Sequence, residues 1–357
     1  MIRRVLIFAS VAIALNGALA RAQFNDVVRT IDGHTRATVE SSTKDKIICQ
    51  VDTGTKEIAV NVIEGIDFNG EPASMREARS KAARGDYADA VKLIADLRPD
   101  DLDRDILRVE LEYRKLLYNA RLVLNGGGSD DDSPQNLNEQ ATQAGRDMLT
   151  FLSKHGGTWH YYEANEVLGD LLVSVGKFET AATFYQKLTD APWPEYKARA
   201  YLLQGRAMQS ADKFDAAMQA YDAVLKAGAS GKMADQQNVE AKIGRTYSMA
   251  GAGKYDEALK TLQDIVSKAD DDDTDLLARA YDAMGNCYRK QKDTKHALWA
   301  YLRVDAVYSS LPEARAEALA NLSSLWLELK RPDRSRAARD ELVAHYPYSR
   351  WTKQAQR

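Results

Sequence analysis

Cysteine and histidine are scarce in this sequence, which has two cysteines and five histidines among 357 residues. Cys49 and Cys287 lie far apart, so a disulfide framework is excluded. We expect both to be buried as small apolar side chains, with a bridge between them as the alternative. The histidines include no H-E-x-x-H pair, and no cysteine–histidine motif of a thiol nucleophile occurs. These absences predict a protein without a metal, a cofactor or a catalytic site.

Complete phosphate-binding and calcium-binding motifs are also lacking. Gly231-Lys232 and Gly253-Lys254 resemble the end of a phosphate loop. Both lack the glycine five residues upstream and the Ser or Thr that would reach magnesium. The aspartates at 270–273 lack the glycine and the distal glutamate of an EF-hand loop. A solvated loop between helices explains them, with weak calcium binding as the alternative. We therefore predict that the protein is not an enzyme.

Neither sign of charge is in large excess. The chain has 49 Lys and Arg against 52 Asp and Glu, a formal net charge of −3. Removal of residues 1–22 would also remove Arg3, Arg4 and Arg21, and −3 − 3 gives −6 for the remainder. A mildly acidic chain has no general electrostatic attraction to nucleic acid, so nucleic acid is excluded as a partner.

Long apolar runs are absent, except for a short one near the first residue. Arg3 and Arg4 precede the apolar stretch Val5–Leu15, and A-x-A cleavage signals follow at 18–20 and 20–22. The stretch is shorter than the roughly 20 residues that a membrane-spanning helix needs. We predict a signal peptide at residues 1–22 and export through the Sec pathway to the periplasm or the cell exterior. No stable membrane insertion is expected after cleavage.

Residues 25–70 read as a small β segment. Short β-branched runs alternate with turn signals at Asp32-Gly33 and Thr53-Gly54, and residues 57–63 are predicted as one strand. The size suggests a small barrel or curled sheet, SH3-like or Sm-like. The segment has no aromatic cluster and no basic stripe. A structural cap on the first helix pair is the favoured interpretation, and a binding role is the alternative.

From residue 71 onward the chain repeats a pattern of helix pairs. A glycine recurs at intervals of 36, 39 and 41 residues, at Gly169, Gly205, Gly244 and Gly285. A large residue follows each glycine three positions later, at Leu172, Met208, Tyr247 and Tyr288. An alanine then opens the second helix, at Ala181, Ala217, Ala258 and Ala297, and four positions later stand Tyr185, Tyr221, Leu262 and Tyr301.

The spacing has a simple physical basis. In each pair the glycine and the large residue three positions later share one face of the first helix. The glycine lets the partner helix approach to backbone distance, the alanine fills the tight crossing, and the aromatic ring closes the space between the helices. One hairpin cannot bury its apolar face alone, so several must stack into an α-solenoid.

These residues resemble the tetratricopeptide repeat (TPR) family, whose pattern is W-x2-L-G-x2-Y, then A-x3-F, then P. Residues 161–350 form the predicted TPR array. Residues 71–160 form degenerate TPR-like repeats with a flexible, glycine-rich insertion at 126–134. The predicted fold is therefore mainly α, a TPR-type α-solenoid of stacked helix hairpins preceded by a small all-β segment.

The resemblance implies that the first helix of each repeat lines a concave groove that binds a segment of another protein. The groove residues read from the family's positions begin acidic and become basic. They are Glu163, Glu166, Asp170, Arg199, Arg206, Arg245, Arg279, Asn286, Arg289 and Lys290. The arginines are predicted to bind carboxylates of an acidic partner segment. The alternative is a solvated helix face with intramolecular ion pairs.

The predicted function is that of an exported TPR scaffold for protein–protein interactions. Two alternatives come from other classes: an accessory subunit in envelope polysaccharide binding or processing, and a self-assembling, homo-oligomeric structural protein. Sugar stacking would use the aromatic residues Trp159, Tyr161, Tyr162, Trp193 and Trp299. Packing at helix starts and in the core explains most of these side chains better.

Overall fold

The computed structural model describes residues 26–126, 134–346, 349 and 351–352, which form a five-stranded sheet followed by fourteen α-helices. The predicted signal peptide, and the predicted insertion apart from residues 126 and 134, lie outside the described residues. The strands are β1 (Asp26–Thr30), β2 (Gly33–Ser42), β3 (Lys46–Val51), β4 (Gly54–Ala59) and β5 (Ile63–Asp67). The helices are α1 (Ala73–Ala82), α2 (Tyr87–Ile94), α3 (Asp105–Leu124), α4 (Pro134–His155), α5 (Tyr161–Ser174), α6 (Phe178–Tyr185), α7 (Pro194–Ser210), α8 (Phe214–Lys226), α9 (Lys232–Gly251), α10 (Tyr255–Lys268), α11 (Thr274–Lys290), α12 (Thr294–Val307), α13 (Pro312–Glu328) and α14 (Pro332–His345).

The strands form one antiparallel sheet in the order β4-β3-β2-β1-β5. β2 pairs with both β1 and β3, and an irregularity between Val39 and Ser41 interrupts the register between β2 and β3. This confirms the predicted small all-β segment. Residues 57–63 are not one strand, because a 3-10 helix at Val60–Val62 separates β4 from β5. That turn carries the chain from one edge of the sheet to the other.

The apolar face of the sheet packs against the first three helices. Val28 and Ile66 of the sheet share one buried cluster with Met75 of α1, Ile94 of α2 and Leu111 of α3. Strand residues alternate between two faces, so a single face supplies these buried side chains. The sheet therefore packs against α3 as well as against the first helix pair, and all of these elements share one hydrophobic core.

An ion pair with a buried carboxylate fixes the sheet to Arg104, the residue that precedes α3. Asp26, 1% exposed, accepts hydrogen bonds from Nη1 and Nη2 of Arg104, each at 2.7 Å. The backbone N–H groups of Val39 and Asn69 donate to the same carboxylate at 2.8 and 2.7 Å. The four hydrogen bonds to this buried carboxylate offset the free-energy cost of removing it from water. Few alternative packings would bring all four donors to the same carboxylate.

The sheet also reaches the fifth and seventh helices. The hydroxyl of Tyr162, in α5, donates to Oδ1 of Asp45 at 2.7 Å. Nδ2 of Asn61 donates to Oε1 of Glu195, in α7, at 2.8 Å. The sheet thus contacts three successive odd-numbered helices, α3, α5 and α7, along the side of the array.

The helices pack as sequential hairpins, as the repeat pattern predicts. A Cβ atom on Gly205 would lie 2.6 Å from the ring of Tyr221, and one on Gly285 would lie 2.6 Å from the ring of Tyr301. Real Cβ atoms do not approach other heavy atoms this closely, so each tyrosine occupies a notch that only glycine leaves open. Gly244, whose own repeat has leucine in place of the tyrosine, faces Tyr221 of the preceding hairpin.

Candidate protein-binding groove

The odd-numbered helices carry the predicted site residues, and polar side chains join each of these helices to the next. We call the face of α5, α7, α9, α11 and α13 that carries these side chains the groove. Its inter-helix pairs are Glu166–Arg199 at 2.6 Å, Arg206–Glu240, Tyr247–Asn286 at 3.1 Å, Asn286–Glu317 at 2.8 Å and Arg289–Asn321, and Arg121 of α3 binds Asp170 of α5 at 3.2 Å. Each repeat is therefore joined to its neighbour by polar contacts as well as by its apolar core.

Every arginine predicted for the site lies within ion-pair distance of an acid of its own chain. Besides the inter-helix pairs, Arg245 binds Asp222 of α8 at 2.8 Å, and Arg279 binds Asp275 of its own helix at 3.0 Å. Nη2 of Arg289 lies 3.9 Å from Glu328. Glu163 and Lys290 are exposed, near the start of α5 and at the end of α11. The structure thus shows the predicted arginines in intramolecular ion pairs, as expected for a solvated helix face.

Tyrosines from the even-numbered helices reach through the glycine notches to the groove. The hydroxyl of Tyr185 donates to Asp170 at 2.9 Å, and that of Tyr301 donates to Asn286 at 3.0 Å. In the second repeat the position after the glycine holds Arg206, and Tyr221 donates instead to Gln209, three residues further along α7, at 3.0 Å. Burial raises the pKa of each tyrosine, so the hydroxyls stay protonated donors. This link was not predicted, although a polar residue directly after Gly169 and Gly285, followed by a tyrosine in the next helix, is its signal in the sequence.

Asp282, on α11, is a buried acid in this region. It is 2% exposed, and its Oδ1 has no hydrogen-bond partner. Burial raises its pKa well above the usual value, and the nearby carboxylate of Glu317 raises it further. The corresponding positions of the two preceding repeats hold Leu202 and Ala241, both buried. An acid therefore stands where neighbouring repeats have apolar side chains.

Asp282→Asn is expected to stabilise the protein by about 1–3 kcal/mol at pH 7.5, because it removes a poorly solvated acid. A folded-state pKa above the unfolded value favours folding at low pH, and that benefit is lost as pH rises through the folded pKa. The gain from the substitution should therefore vanish at about pH 4. Urea unfolding at several pH values measures it, with the exposed Asp275→Asn as control. A gain independent of pH would contradict the assignment.

The polar network beside Asp282 joins three helices. Nδ2 of Asn286 donates to Oε1 of Glu317 at 2.8 Å and to the hydroxyl of Tyr247 at 3.1 Å. The Tyr247 hydroxyl in turn donates to Oε1 of Glu317 at 3.3 Å. Tyr247 belongs to α9, Asn286 to α11 and Glu317 to α13. This network holds one carboxylate in a fixed position beside a second, buried one.

The aromatic residues considered for sugar stacking mostly pack within the protein. Tyr162 is 2% exposed, and Tyr161 and Trp193 pack against the same cluster. Trp159 packs against the core under the sheet. Trp299, on α12, is 65% exposed. Tyr162 contacts Tyr161 and Trp193 edge-on, with ring centroids 5.2 and 6.2 Å apart, so these three rings pack as one cluster.

The described residues include no group of three or more His, Cys, Asp or Glu side chains arranged to hold a metal ion. Cys49 and Cys287 are free, buried thiols in separate clusters, and burial raises the pKa of each to about 11. Within the described part of the chain, no helix combines the length and apolarity needed to cross a membrane.

Comparison with known proteins gives a fold but no sequence relative. No protein-family model matches the chain, and no curated protein matches it. A tetratricopeptide repeat protein from Parabacteroides merdae superposes with a TM-score of 0.55 at 16% identity, covering 80% of this chain and 98% of that one. The C-terminal part of a TPR repeat-containing protein from Cytophaga hutchinsonii gives 0.46 at 14%, covering 79% and 99%. The first similarity shows a TPR-like helical repeat fold and confirms the predicted fold class.

Proposed function

We propose that this TPR-like array is a non-enzymatic scaffold that binds a segment of another protein in the groove. The observation that carries the proposal is the row of partly exposed polar side chains that joins successive odd-numbered helices. Such a row offers hydrogen-bond donors and acceptors at regular spacing along the array. An extended or helical segment can follow that spacing over several repeats.

An arginine in the groove can exchange its intramolecular acid for a carboxylate of the partner at a small cost in free energy. The side chains of Arg199 and Arg206 are 39% and 47% exposed, and their partners Glu166 and Glu240 are 18% and 29% exposed. Ion pairs with this much solvent contribute at most about 1 kcal/mol each. A partner can therefore take over an arginine without unfolding the repeat that supplies it.

The pairing also bears on the charge of the partner. A purely acidic segment, as the sequence predicts, would bind the arginines but would leave their displaced acids, such as Glu166 and Glu240, facing like charge. A segment with both acidic and basic residues satisfies both members of each pair. We therefore propose a partner segment of mixed charge.

We also propose that the scaffold acts outside the cytoplasm. The support is in residues 1–22, where Arg3 and Arg4 precede an apolar stretch and an A-x-A signal. N-terminal sequencing of the protein purified from its host tests this part. Cleavage after residue 20 or 22 is the expected result, and an intact Arg3-Arg4 sequence in the purified protein would contradict it.

Photo-crosslinking in the native host tests the groove. A benzoylphenylalanine at Arg206 or Arg289 is expected to capture one dominant partner, because both positions face the polar row. The matched controls are Gln219 and Lys260, exposed positions on the even-numbered helices α8 and α10. Mass spectrometry identifies the adducts. Equal capture from both sets of positions would contradict a groove-bound partner.

A further inference from the structure

The turns between the two helices of each repeat form one edge of the array, and successive turns contact each other. We number the repeats from first to fifth, beginning with α5 and α6 and ending with α13 and α14. Lys213 in the second turn binds Glu179 of the first at 2.9 Å. Lys254 in the third turn binds Asp215 of the second at 3.5 Å in the same way. Each of these lysines therefore neutralises an acid of the turn before it.

The charge of this edge changes sign at the fourth repeat. The turns align on the residue of each that has a positive φ, which is Gly176, Asp212, Gly253, Lys292 or Lys330. In this alignment, the fourth turn, 290–296, carries three cations and one acid, and the fifth, 328–334, carries three cations and two acids. The first three turns together carry three cations and five acids, at 174–180, 210–216 and 251–257. The last two turns are therefore basic, whereas the earlier ones are slightly acidic.

Four lysines of the last two turns are not neutralised by ion pairs. The acids beside them have other partners, in the contacts Asp293–His296 at 2.7 Å, Asp333–Arg331 at 3.6 Å and Glu328–Arg289 at 3.9 Å. Hydrogen bonds from His296 lower the pKa of Asp293, and Lys295 adds a smaller effect without a direct contact. Among the described residues, no acid lies within ion-pair distance of the four exposed lysines, which we call the basic edge: Lys290, Lys292, Lys295 and Lys330.

Three of these lysines stand where lysine is locally unfavourable. Lys292 and Lys330 have φ values of 61° and 59°, in the left-handed region that costs free energy for any residue with a Cβ atom. Lys295 lies in the first turn of α12, where the helix dipole favours an acid, and the second turn of the edge has Asp215 at this position. Residues that oppose local preference in this way are characteristic of functional sites.

Exposed apolar side chains flank the basic edge. Trp299, one helical turn after Lys295, is 65% exposed. Leu327 and Leu329, just before Lys330, are 61% and 42% exposed. A lipid surface matches this combination, because lysines can approach its phosphates while tryptophan and leucine enter the boundary between headgroups and acyl chains. An acidic protein segment would match the lysines but would leave these apolar side chains in water.

We propose that the basic edge binds the phosphate groups of anionic lipids at a membrane surface, with Trp299 and Leu329 entering the boundary region. The attraction acts over about one Debye length, so the association is peripheral and weakens as salt is added. The edge is formed by turns and the groove by the faces of the odd-numbered helices. The proposal is therefore independent of the proposed function, and the groove stays available to a protein segment while the edge lies on the membrane.

Vesicle sedimentation tests the basic edge. The protein purified from its host is mixed, at about 0.1 M salt, with vesicles of phosphatidylcholine alone or of equal parts of phosphatidylcholine and phosphatidylglycerol. We expect stronger binding to the anionic vesicles. Lys292→Gly combined with Lys330→Gly should weaken that binding about tenfold or more. The melting temperature should not fall, because glycine is favoured at both positions, so misfolding is excluded as the cause.

Lys213→Gln combined with Lys254→Gln is the matched control, because it removes the same number of positive charges from the same edge, where both are already paired. It should change binding less than about threefold. Trp299→Ser should weaken vesicle binding severalfold. Equal losses in the two double variants, or no preference for anionic vesicles, would overturn the proposal. Binding of a polyglutamate peptide without binding of vesicles would overturn it as well and would assign the edge to an acidic protein.

Discussion

Gly285→Ala is expected to lower the free energy of unfolding by about 2–3 kcal/mol, despite the better helix propensity of alanine. The added Cβ would lie 2.6 Å from Cζ of Tyr301, a ring that is fully buried. The ring cannot move aside, because its hydroxyl is bound to Asn286 and its edges are packed in the core. Urea unfolding followed by circular dichroism measures the loss.

Gly145→Ala is the matched control for this substitution. Gly145 also lies inside a helix, α4, but a Cβ there would meet only Cδ1 of Leu168 at 3.6 Å, an ordinary contact distance. We expect this variant to gain up to about 1 kcal/mol. Adding Tyr301→Leu to Gly285→Ala should recover part of the loss, since the third repeat carries Leu262 at the equivalent position. Equal effects of alanine at Gly145 and Gly285 would contradict the conclusion that Tyr301 occupies space that only glycine leaves open at position 285.

Glu110→Gln is expected to destabilise the protein by about 3–5 kcal/mol at pH 7. Glu110 is 1% exposed and binds Nε of Arg114 at 2.6 Å and Nε2 of His160 at 2.8 Å. Nη1 of Arg114 also donates to the hydroxyl of Tyr118 at 2.9 Å. The substitution leaves a nearly buried guanidinium without its counter-charge, and this is the main cost.

The pH dependence of the loss in Glu110→Gln shows whether the missing negative charge of Glu110 causes it. Burial alone would raise the pKa of Glu110, but Arg114 and His160 outweigh burial and hold it at about 2. A lowered pKa stabilises the folded state above the unfolded value of 4.5, and this stability is lost as pH falls through the folded pKa. The difference between Glu110→Gln and the parent should therefore shrink from pH 4.5 towards pH 2.

Glu112→Gln is the control, two residues along the same helix. Its side chain is 33% exposed and binds Lys154 at 2.9 Å and His155 at 2.7 Å. Solvent screens these contacts, so the expected loss is below about 1 kcal/mol. A loss at Glu112 as large as that at Glu110, measured by urea unfolding at pH 7, would show that burial is not the deciding factor.

The repeat fold could be predicted from the sequence because its determinants are local and periodic. Gly205, Ala217 and Tyr221 lie within one hairpin, and the same spacing recurs from Gly169 to Tyr185 and from Gly285 to Tyr301. The division of residues 57–63 into β4, a 3-10 helix and β5 was not predicted. Alternation of apolar residues continues through the turn, so the pattern alone does not show where the chain changes direction.

The groove residues could be placed on the odd-numbered helices, but their partners could not. Glu240, which binds Arg206, and Asp222, which binds Arg245, come from neighbouring helices whose relative rotation no sequence period specifies. Asp282 had a detectable signal, because Leu202 and Ala241 precede it at the same repeat position. Its burial depends on the packing of α9, α11 and α13 and became visible only in three dimensions.

The contacts between the sheet and α3, α5 and α7 make the two ends of the array unequal. In a linear repeat array, each unit is held only by its neighbours, and local unfolding begins at a free end. Here the first repeats are held by the sheet as well as by their neighbours, because Asp45 and Asn61 bind helices several elements away along the chain. Local unfolding should therefore involve the later repeats, which do not contact the sheet, before the repeats of α3, α5 and α7, which do. The repeat that carries Asp282, α11 and α12, lies among the repeats that have no such contact with the sheet.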